Sequence, residues 1–320
     1  MYKRVMAVLF IGSVLLTGCG NQKELKRQGY HLDTIFEVQL KTDNKKDIFA
    51  RAQRSLNEGF DRLVELDSNI NKLSPLSEIS AINANASVRT MDISKITYDL
   101  LDKSLNASVF TDGYFDIVWR PLTKLFEMSS PSAERIARAR SVSGYNNIAL
   151  DRSLHRVRYL NTTEVDFEQI KRGFAVDLIR SRLSNVDSGQ IKAGNVAYYF
   201  GSKKLSLKLT EKENLNLKLN NAAVAVLDAT DSYYVNSSAW RKYLPVVSPV
   251  DPIRQIIVVA PTAVTAEVLS NAFYFMGVEK SLQKIDSIKK EASRQSMYEV
   301  YFVLDDDENG SRVVSSVEKK

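Results

Sequence analysis

Arg172 and Gly173 stand where a strand-like run beginning at Val165 gives way to a helix, an arrangement suited to holding an anion. Gly173 has no side chain to keep a phosphate away, and Arg172 offers a planar cationic fork. The amides opening the helix at Phe174 and Ala175 add partial positive charge. The same residues fit an ordinary strand-turn-helix junction equally well. A second group lies on Thr265 to Met276. At about 100° per residue, Glu267, Ser270 and Asn271 share one arc, while Leu269, Ala272, Phe273 and Met276 take the opposite side. That arc is either a solvated face or a set of oxygen donors. His31 and His155 are the only histidines, and nothing brings them together, so both read as packing or surface residues. Tyr198-Tyr199 and Tyr233-Tyr234 suit ring stacking, or cross-strand packing if they lie in strands.

These residues need a scaffold. Asp33 to Lys41 alternates as a strand does, with Ile35 or Phe36, Val38 and Leu40 facing inward. Ile48, Ala52, Leu56, Phe60, Leu63 and Ile70 recur at helical spacing, which predicts a long helix from Lys46 to Leu73, closed by Ser74-Pro75. A helix from Ser94 to Val109 follows Asp92 as a candidate cap and stops near Asp112-Gly113; a short one fits Ala133 to Arg140. Ala175, Ile179 and Leu183 mark a buried stripe on the helix that carries Asp177. From Tyr145 the pattern turns to short strands at 147–150, 155–160, 205–209, 215–219, 224–227, 256–260 and 298–304. Helices thus dominate early and strands late, without βαβ alternation, which predicts an α+β fold of two interlocked lobes.

Both ends read differently from this body. Met1-Tyr2-Lys3-Arg4 is basic, Val5 to Leu16 is apolar but short for a membrane span, and Leu16-Thr17-Gly18-Cys19 follows. This resembles a bacterial lipoprotein signal. It predicts cleavage after residue 18, acylation of Cys19 and attachment to the periplasmic face of a membrane. Gly20 gives no inner-membrane retention cue, which points to the outer membrane. Residues 19–28 are expected to be a polar tether, 29–304 the folded body, and 305–320 a solvated tail. Cys19 is the only cysteine, so no internal disulfide forms and no thiolate nucleophile remains after processing. The formal charge of +6 includes Lys3 and Arg4. It is compatible with an anionic ligand or membrane surface, but no basic motif interleaved with aromatics indicates nucleic acid.

Five blocks in order resemble the FAD:protein FMN transferase family, the ApbE-type flavin transferases. Glu65 to Asn83 is similar to its Ser-Glu-Leu-Ser-x-Leu-Asn block, and Thr111 to Leu122 to its Gly-x-Phe-Asp-x-Thr-x-Gly-Pro-Leu block. Val165 to Asp177 resembles Asp-Leu-x-x-Ile-Ala-Lys-Gly-Tyr-Ala-x-Asp, and Ala193-Gly194-Asn195 resembles Gly-Gly-Asp or Gly-Gly-Asn. Ala266 to Gly277 looks like the metal-binding Ala-Asp-x-Leu-Ala-Thr-Ala helix and its closing glycine.

The resemblance implies an ApbE-type, T-fold-like domain in which a Thr or Ser hydroxyl of an acceptor protein attacks the flavin-side phosphate of FAD. FMN is left on the acceptor and AMP is released. It implies Mg²⁺ held by the Gln169 carbonyl and by Glu267, Ser270 and Asn271. It places Thr111, Asp112, Gly113, Asp166, Arg172, Gly173, Asn195 and Val247 at flavin-nucleotide positions and assigns no catalytic residue. The chain departs from the family's pattern at several points. Glu267, Ser270 and Asn271 replace Asp, Asp or Ala, and Thr. Arg172 replaces Lys, and Lys171 a small residue; Trp119 stands where a smaller residue is favoured. Thr230-Asp231-Ser232 replaces Thr-Ser-Gly, and Pro245 to Pro249 replaces His-Ile-Ile-Asp-Pro. Leu32 replaces Met ahead of the retained Thr34, and Leu73 replaces an aromatic. Two functions are compatible with this pattern: a lipid-anchored Mg-dependent flavin transferase, and a weakened or inactive relative that binds flavin or a partner protein.

Overall fold

The computed structural model describes residues 22–128, 131–209, 213–244, 246, 251–291, 297–306 and 310–317. Its frame is an eight-stranded sheet in the order β1 (Gln22–His31), β2 (Thr34–Asp43), β6 (Ser188–Ala193), β7 (Val196–Lys208), β8 (Asn214–Asp228), β9 (Ile253–Ala260), β10 (Glu299–Asp306) and β11 (Gly310–Ser315). Every neighbouring pair is antiparallel. A smaller sheet joins β3 (Met91–Asp92), β5 (Arg156–Tyr159) and β4 (Ile148–Asp151).

Period-two alternation explains why the central strands look apolar throughout. In β9, Ile256, Val258 and Ala260 face the main core, whereas Ile257 and Val259 face a second cluster; in β10, Val300, Phe302 and Leu304 divide in the same way from Tyr301 and Val303. The second cluster is closed by Leu209, Leu217 and Leu219 from the outer part of the β7–β8 hairpin. That hairpin changes register between Tyr199 and Ser202, where Gly201 and Asn221 both have positive φ.

On the other face lie α1 (Lys46–Ile70), α6 (Lys171–Arg182) and α8 (Ala263–Met276). Helix α1 buries Ala52, Leu56, Phe60, Leu63 and Ile70 of the stripe read from the sequence and adds Leu66, while Ile48 is only partly buried and the helix ends at Ile70 rather than Leu73. Close approach on both sides of α6 requires glycine. A Cβ on Gly59 of α1 would lie 3.1 Å from Ile179, and one on Gly173 of α6 would lie 2.5 Å from the Ala263 carbonyl oxygen of α8. The second lobe contains α2 (Glu78–Asn85), α3 (Lys95–Phe110), α4 (Arg120–Met128), α5 (Ala133–Val142) and the small sheet. Asn83 ties it to the chain entering α6, accepting from Tyr159 Oη and from the Val165 amide, both at 2.9 Å. The short helix α7 (Ser232–Ser237) precedes β9, and α9 (Val278–Glu291), as long as α8, follows that helix.

The α+β class and the two-lobed form are as expected, but several local readings are corrected. Residues 22–28 are not a tether; they pair with β2 from Gln22↔Asp43 onward. Asp305 and Asp306 continue β10, and β11 pairs with it where a solvated tail was expected. Val165 to Ile170 is irregular rather than a strand, and α6 starts at Lys171, which puts Gly173 inside its first turn. Ser94, not Asp92, caps α3 by accepting from the Thr97 amide at 3.3 Å. Phe36 faces inward and Ile35 outward. Tyr233 and Tyr234 lie in α7, not in a strand. Cys19 and the leader lie outside the described residues, as do Val247 and all of 245–249 except Val246.

Candidate active site between the lobes

The contact of α6 with α8 brings the two sequence groups together. The Gly173 amide donates to Glu267 Oε2 at 2.7 Å. Asp177, one turn further along α6, accepts from the Ala263 and Val264 amides at 3.2 and 2.9 Å and so caps α8 beside its own cap, Thr262. Glu267, Ser270 and Asn271 do share a face, but that face is buried against α6 rather than solvated. Burial pushes the Glu267 carboxyl up to about 7, against the pull of the Gly173 amide and of Arg172 and Lys171.

Asn271 is the hub of this contact. Its Nδ2 donates to the Gln169 carbonyl at 3.2 Å and to the Glu267 carbonyl at 2.7 Å, and its Oδ1 accepts from Tyr234 Oη. Ser270 Oγ donates to the Glu267 carbonyl at 2.9 Å. Tyr234 is partly buried, and desolvation drives its phenol well above the ordinary range, so it stays a protonated donor.

Next to this network the chain has two cations of different standing. Lys171 is almost fully buried, and its Nζ pairs with Glu168 at 2.8 Å and Asp33 at 3.0 Å. Arg172 packs beside Gly194, which has φ 56°; a Cβ there would lie 3.0 Å from Thr34 Oγ1 and 3.7 Å from Arg172 Nε. Its Nη1 reaches Asn195 Oδ1 at 3.5 Å, and its buried Nε has no partner among the described residues.

A cleft of about 720 Å³ lies between the lobes, with Gln169 in its lining. Trp119, Phe126, Tyr233 and Trp240 supply aromatic walls, Lys72 and Arg120 supply cations, and Asp166, Glu168 and Gln169 form part of its lining beside the network. Lys72 pairs with Asp166 at 3.3 Å and Glu168 at 3.1 Å. Asp116 is also in the wall. It accepts from the Val118 amide at 2.8 Å and the Tyr145 amide at 2.7 Å, yet burial outweighs both and pushes its carboxyl up to about 6.

Of the expected site residues, Asp166 and Gln169 line the cleft, while Arg172, Gly173, Asn195, Glu267, Ser270 and Asn271 cluster at the α6–α8 contact beside Gln169, outside that lining. Thr111, Asp112 and Gly113 do not line it. Thr111 is buried and donates back to the Ala107 carbonyl at 2.8 Å, Asp112 pairs with Lys284 at 2.9 Å, and Gly113 turns the chain with φ 80°. Phe115, Asp116 and Ile117, just beyond, take that place. Gly173 serves helix contact rather than ligand approach. Sequence reasoning missed Tyr234 as the partner of Asn271, Asp177 as a cap, and Lys72, Arg120 and Trp240 as cleft residues. Only Asp177 carried a signal, as the acidic end of a quoted motif.

The donor set does not fit the Mg²⁺ that the resemblance implies. Such an ion needs several free oxygens at about 2.0–2.1 Å. The Gln169 carbonyl and Asn271 Oδ1 already accept protons, one Glu267 oxygen is taken by Gly173, and the Asn271 face nearest the carbonyls presents N–H groups. Among the described residues no cluster of three His, Cys, Asp or Glu side chains is placed to hold a metal.

An antiparallel sheet backed by helices, with a nucleotide-sized cleft at its junction with a second lobe, defines a ligand-binding α+β protein. Residues 32–293 match the sequence profile of the ApbE family, and the chain belongs to that family. It is 22% identical to the FAD:protein FMN transferase of Haemophilus influenzae across all of this chain and 98% of the relative. It is 26% identical to that of Chlamydia trachomatis over 54% of this chain and 55% of the relative. Its fold is similar to the Pseudomonas stutzeri flavinyl transferase ApbE in its apo form (TM-score 0.74, 18% identity, 93% of this chain and 96% of that one). It is also similar to the ApbE protein of Thermotoga maritima (TM-score 0.70, 19% identity, 92% and 97%).

Proposed function

We propose that this chain is a FAD:protein FMN transferase, and that its substrates are FAD and an acceptor protein bearing a Thr or Ser. One observation carries the reading. The aromatic-walled cleft has Asp166, Glu168 and Gln169 in its lining, and Gln169 is also where Asn271 of α8 meets the chain entering α6, so the turn that carries Arg172 adjoins the wall that would hold a flavin ring. The Haemophilus influenzae relative, matched across the whole chain, bears that name.

In this reading the acceptor hydroxyl oxygen forms a bond to the flavin-side phosphorus as the bond to the bridging oxygen breaks. AMP leaves with that oxygen, and the hydroxyl proton passes to solvent or base. The chain's part is to bind and orient. Trp119, Tyr233 and Trp240 hold the ring system, and Arg172, steadied by Asn195, receives the diphosphate through a bidentate fork. Because Gln169 and Asn271 are mutually satisfied, no step is assigned to a metal.

The leader motif supports a second part of the reading, attachment to the periplasmic side of a membrane, outer rather than inner, through acylated Cys19. Among the described residues no helix is long and apolar enough to cross a membrane. Gln22, the first described residue of β1, stands three positions after Cys19 in the sequence, a separation of at most about 10 Å, so an acylated Cys19 would hold the body close to a lipid surface. Incorporation of labelled fatty acid into the native chain but not Cys19→Ser tests the anchor.

For the transferase itself, the purified protein is incubated with FAD and a threonine-bearing acceptor domain. Release of AMP together with covalent, fluorescent flavin on the acceptor is the expected result. FAD retained without AMP release would leave a flavin-binding protein instead.

A further inference from the structure

We infer that the cation position of this site is closed by the chain's own hydrogen bonds, and that the FAD diphosphate is held by Arg172 without a divalent ion. The inference rests on the flavin-transferase reading for its ligand, and on this chain's side chains for the rest.

The closure follows from the orientation of one amide. Asn271 Nδ2 faces two carbonyl oxygens, of Gln169 at 3.2 Å and Glu267 at 2.7 Å. Turning the amide over would set Oδ1 against both oxygens at those distances, so the network dictates the assignment. Tyr234 Oη then donates to the outward Oδ1 and completes the amide's bonding. A divalent cation entering beside Gln169 meets the Asn271 N–H aimed at the same carbonyl, and using Asn271 Oδ1 as a ligand means competing with its bond from Tyr234. Each lost bond weakens the network, and a strongly hydrated cation must be stripped of water as well. A threonine at this position would leave the Gln169 carbonyl free of the amide.

Compensating charge is present on the same turn of α6. Lys171 is already matched by Glu168 and Asp33. Arg172 is the cation with donor capacity left, since Nε is buried without a partner among the described residues and Nη1 makes only a 3.5 Å contact to Asn195. A guanidinium placed beside Gly194 can meet two phosphate oxygens at once, which a lysine ammonium cannot do in a fixed plane. Asn271 and Arg172 therefore work as a pair: one fills the cation's place, the other takes over its charge.

Two measurements on the whole folded chain test this. In thermal melts, Mg²⁺ alone is expected to leave the midpoint of the native protein where EDTA leaves it; a clear rise with Mg²⁺ overturns the closure. In titrations followed by flavin fluorescence, FAD is expected to bind equally well in EDTA and in Mg²⁺, within about threefold. Asn271→Thr should gain a Mg²⁺ dependence beyond that margin, and Arg172→Gln should weaken FAD about tenfold in both solutions. Native binding that tightens more than threefold with Mg²⁺, or Arg172→Gln binding that is unchanged, defeats the proposal. If FAD does not bind in either solution while Mg²⁺ still leaves the melt unmoved, the transferase reading and the diphosphate role of Arg172 fall, and the closure stands.

Discussion

The Gly173 amide donates to the buried Glu267 carboxylate at 2.7 Å, and the same glycine lies so close to α8 that a Cβ would come within 2.5 Å of the Ala263 carbonyl oxygen and 2.8 Å of its carbon. One residue thus provides both a hydrogen bond and the clearance that lets two helices meet. The obstructing atoms are backbone, so they cannot swing aside.

Gly173→Ala is therefore expected to destabilise the protein by about 2–3 kcal/mol or more, combining overpacking with a bent or lost charge-assisted bond. Glu267→Gln keeps an acceptor for the same amide and removes a carboxyl that burial already disfavours as an anion, so its stability should change by less than about 1 kcal/mol. Urea melts of the two variants check the contrast. Similar stability in both would mean that the helices separate easily and that the close contact is not needed.

Asp177 offers an independent probe of the same junction. Its carboxylate accepts from the Ala263 and Val264 amides, and Asp177→Ala should cost about 1–2 kcal/mol through exposure of the α8 N-terminus. Asn retains one acceptor and should lose less. Hydrogen exchange of the first turn of α8 is the direct readout, since a cap acts there before it acts on the global melt.

How much of this was legible in the sequence depended on where the stabilising partner lay. The long stripe of α1, the alternation of β2 and the α8 pattern are local, so 3.6- and 2-residue periods disclosed them. β1 was hidden because Lys23, Glu24, Lys26, Arg27 and Gln28 read as solvated chain; only pairing with β2 makes them a strand. β11 escaped for the same reason beside the acidic run that precedes it. In the site, ordered motifs pointed to Arg172, Glu267 and Asn271. The role of Asn271 was not legible, because it depends on Tyr234, 37 residues away, and on a carbonyl at Gln169 that no side-chain pattern records.

Asp116 should give the native protein a measurable pH dependence. Its carboxyl is pushed from an ordinary 3.8 up to about 6 by burial, so between those values the folded state binds more protons than the unfolded state. Stability then falls as pH rises: the contribution is fully present below about pH 4 and gone above about pH 6, a span of about 3 kcal/mol. Asn keeps one acceptor but sets its donor-only Nδ2 against the second amide. Asp116→Asn is therefore expected to be less stable than the native protein near pH 4, and the gap should narrow by about 3 kcal/mol on going to pH 7. Chemical denaturation across that range gives the difference curve; a flat difference would show that the carboxyl titrates normally.

Trp119 carries a buried indole N–H with no partner among the described residues, while its ring packs edge-on against Phe275 and Trp240 with centroids 5.0 and 6.2 Å away. An unsatisfied buried donor costs about 1–3 kcal/mol. Trp119→Phe removes that penalty and loses part of the ring's packing, two effects of similar size and opposite sign, so the melting temperature without ligand should move little. Binding separates them. Since Trp119 lines the cleft, an acceptor atom on the bound flavin would satisfy the indole, and removing it should weaken FAD by about three- to tenfold. Leu at this position should instead lower stability and binding together, because both ring contacts disappear. Equal FAD affinity in the native and Phe proteins would show that the indole nitrogen serves neither the fold nor the ligand, and that the aromatic wall acts through shape alone.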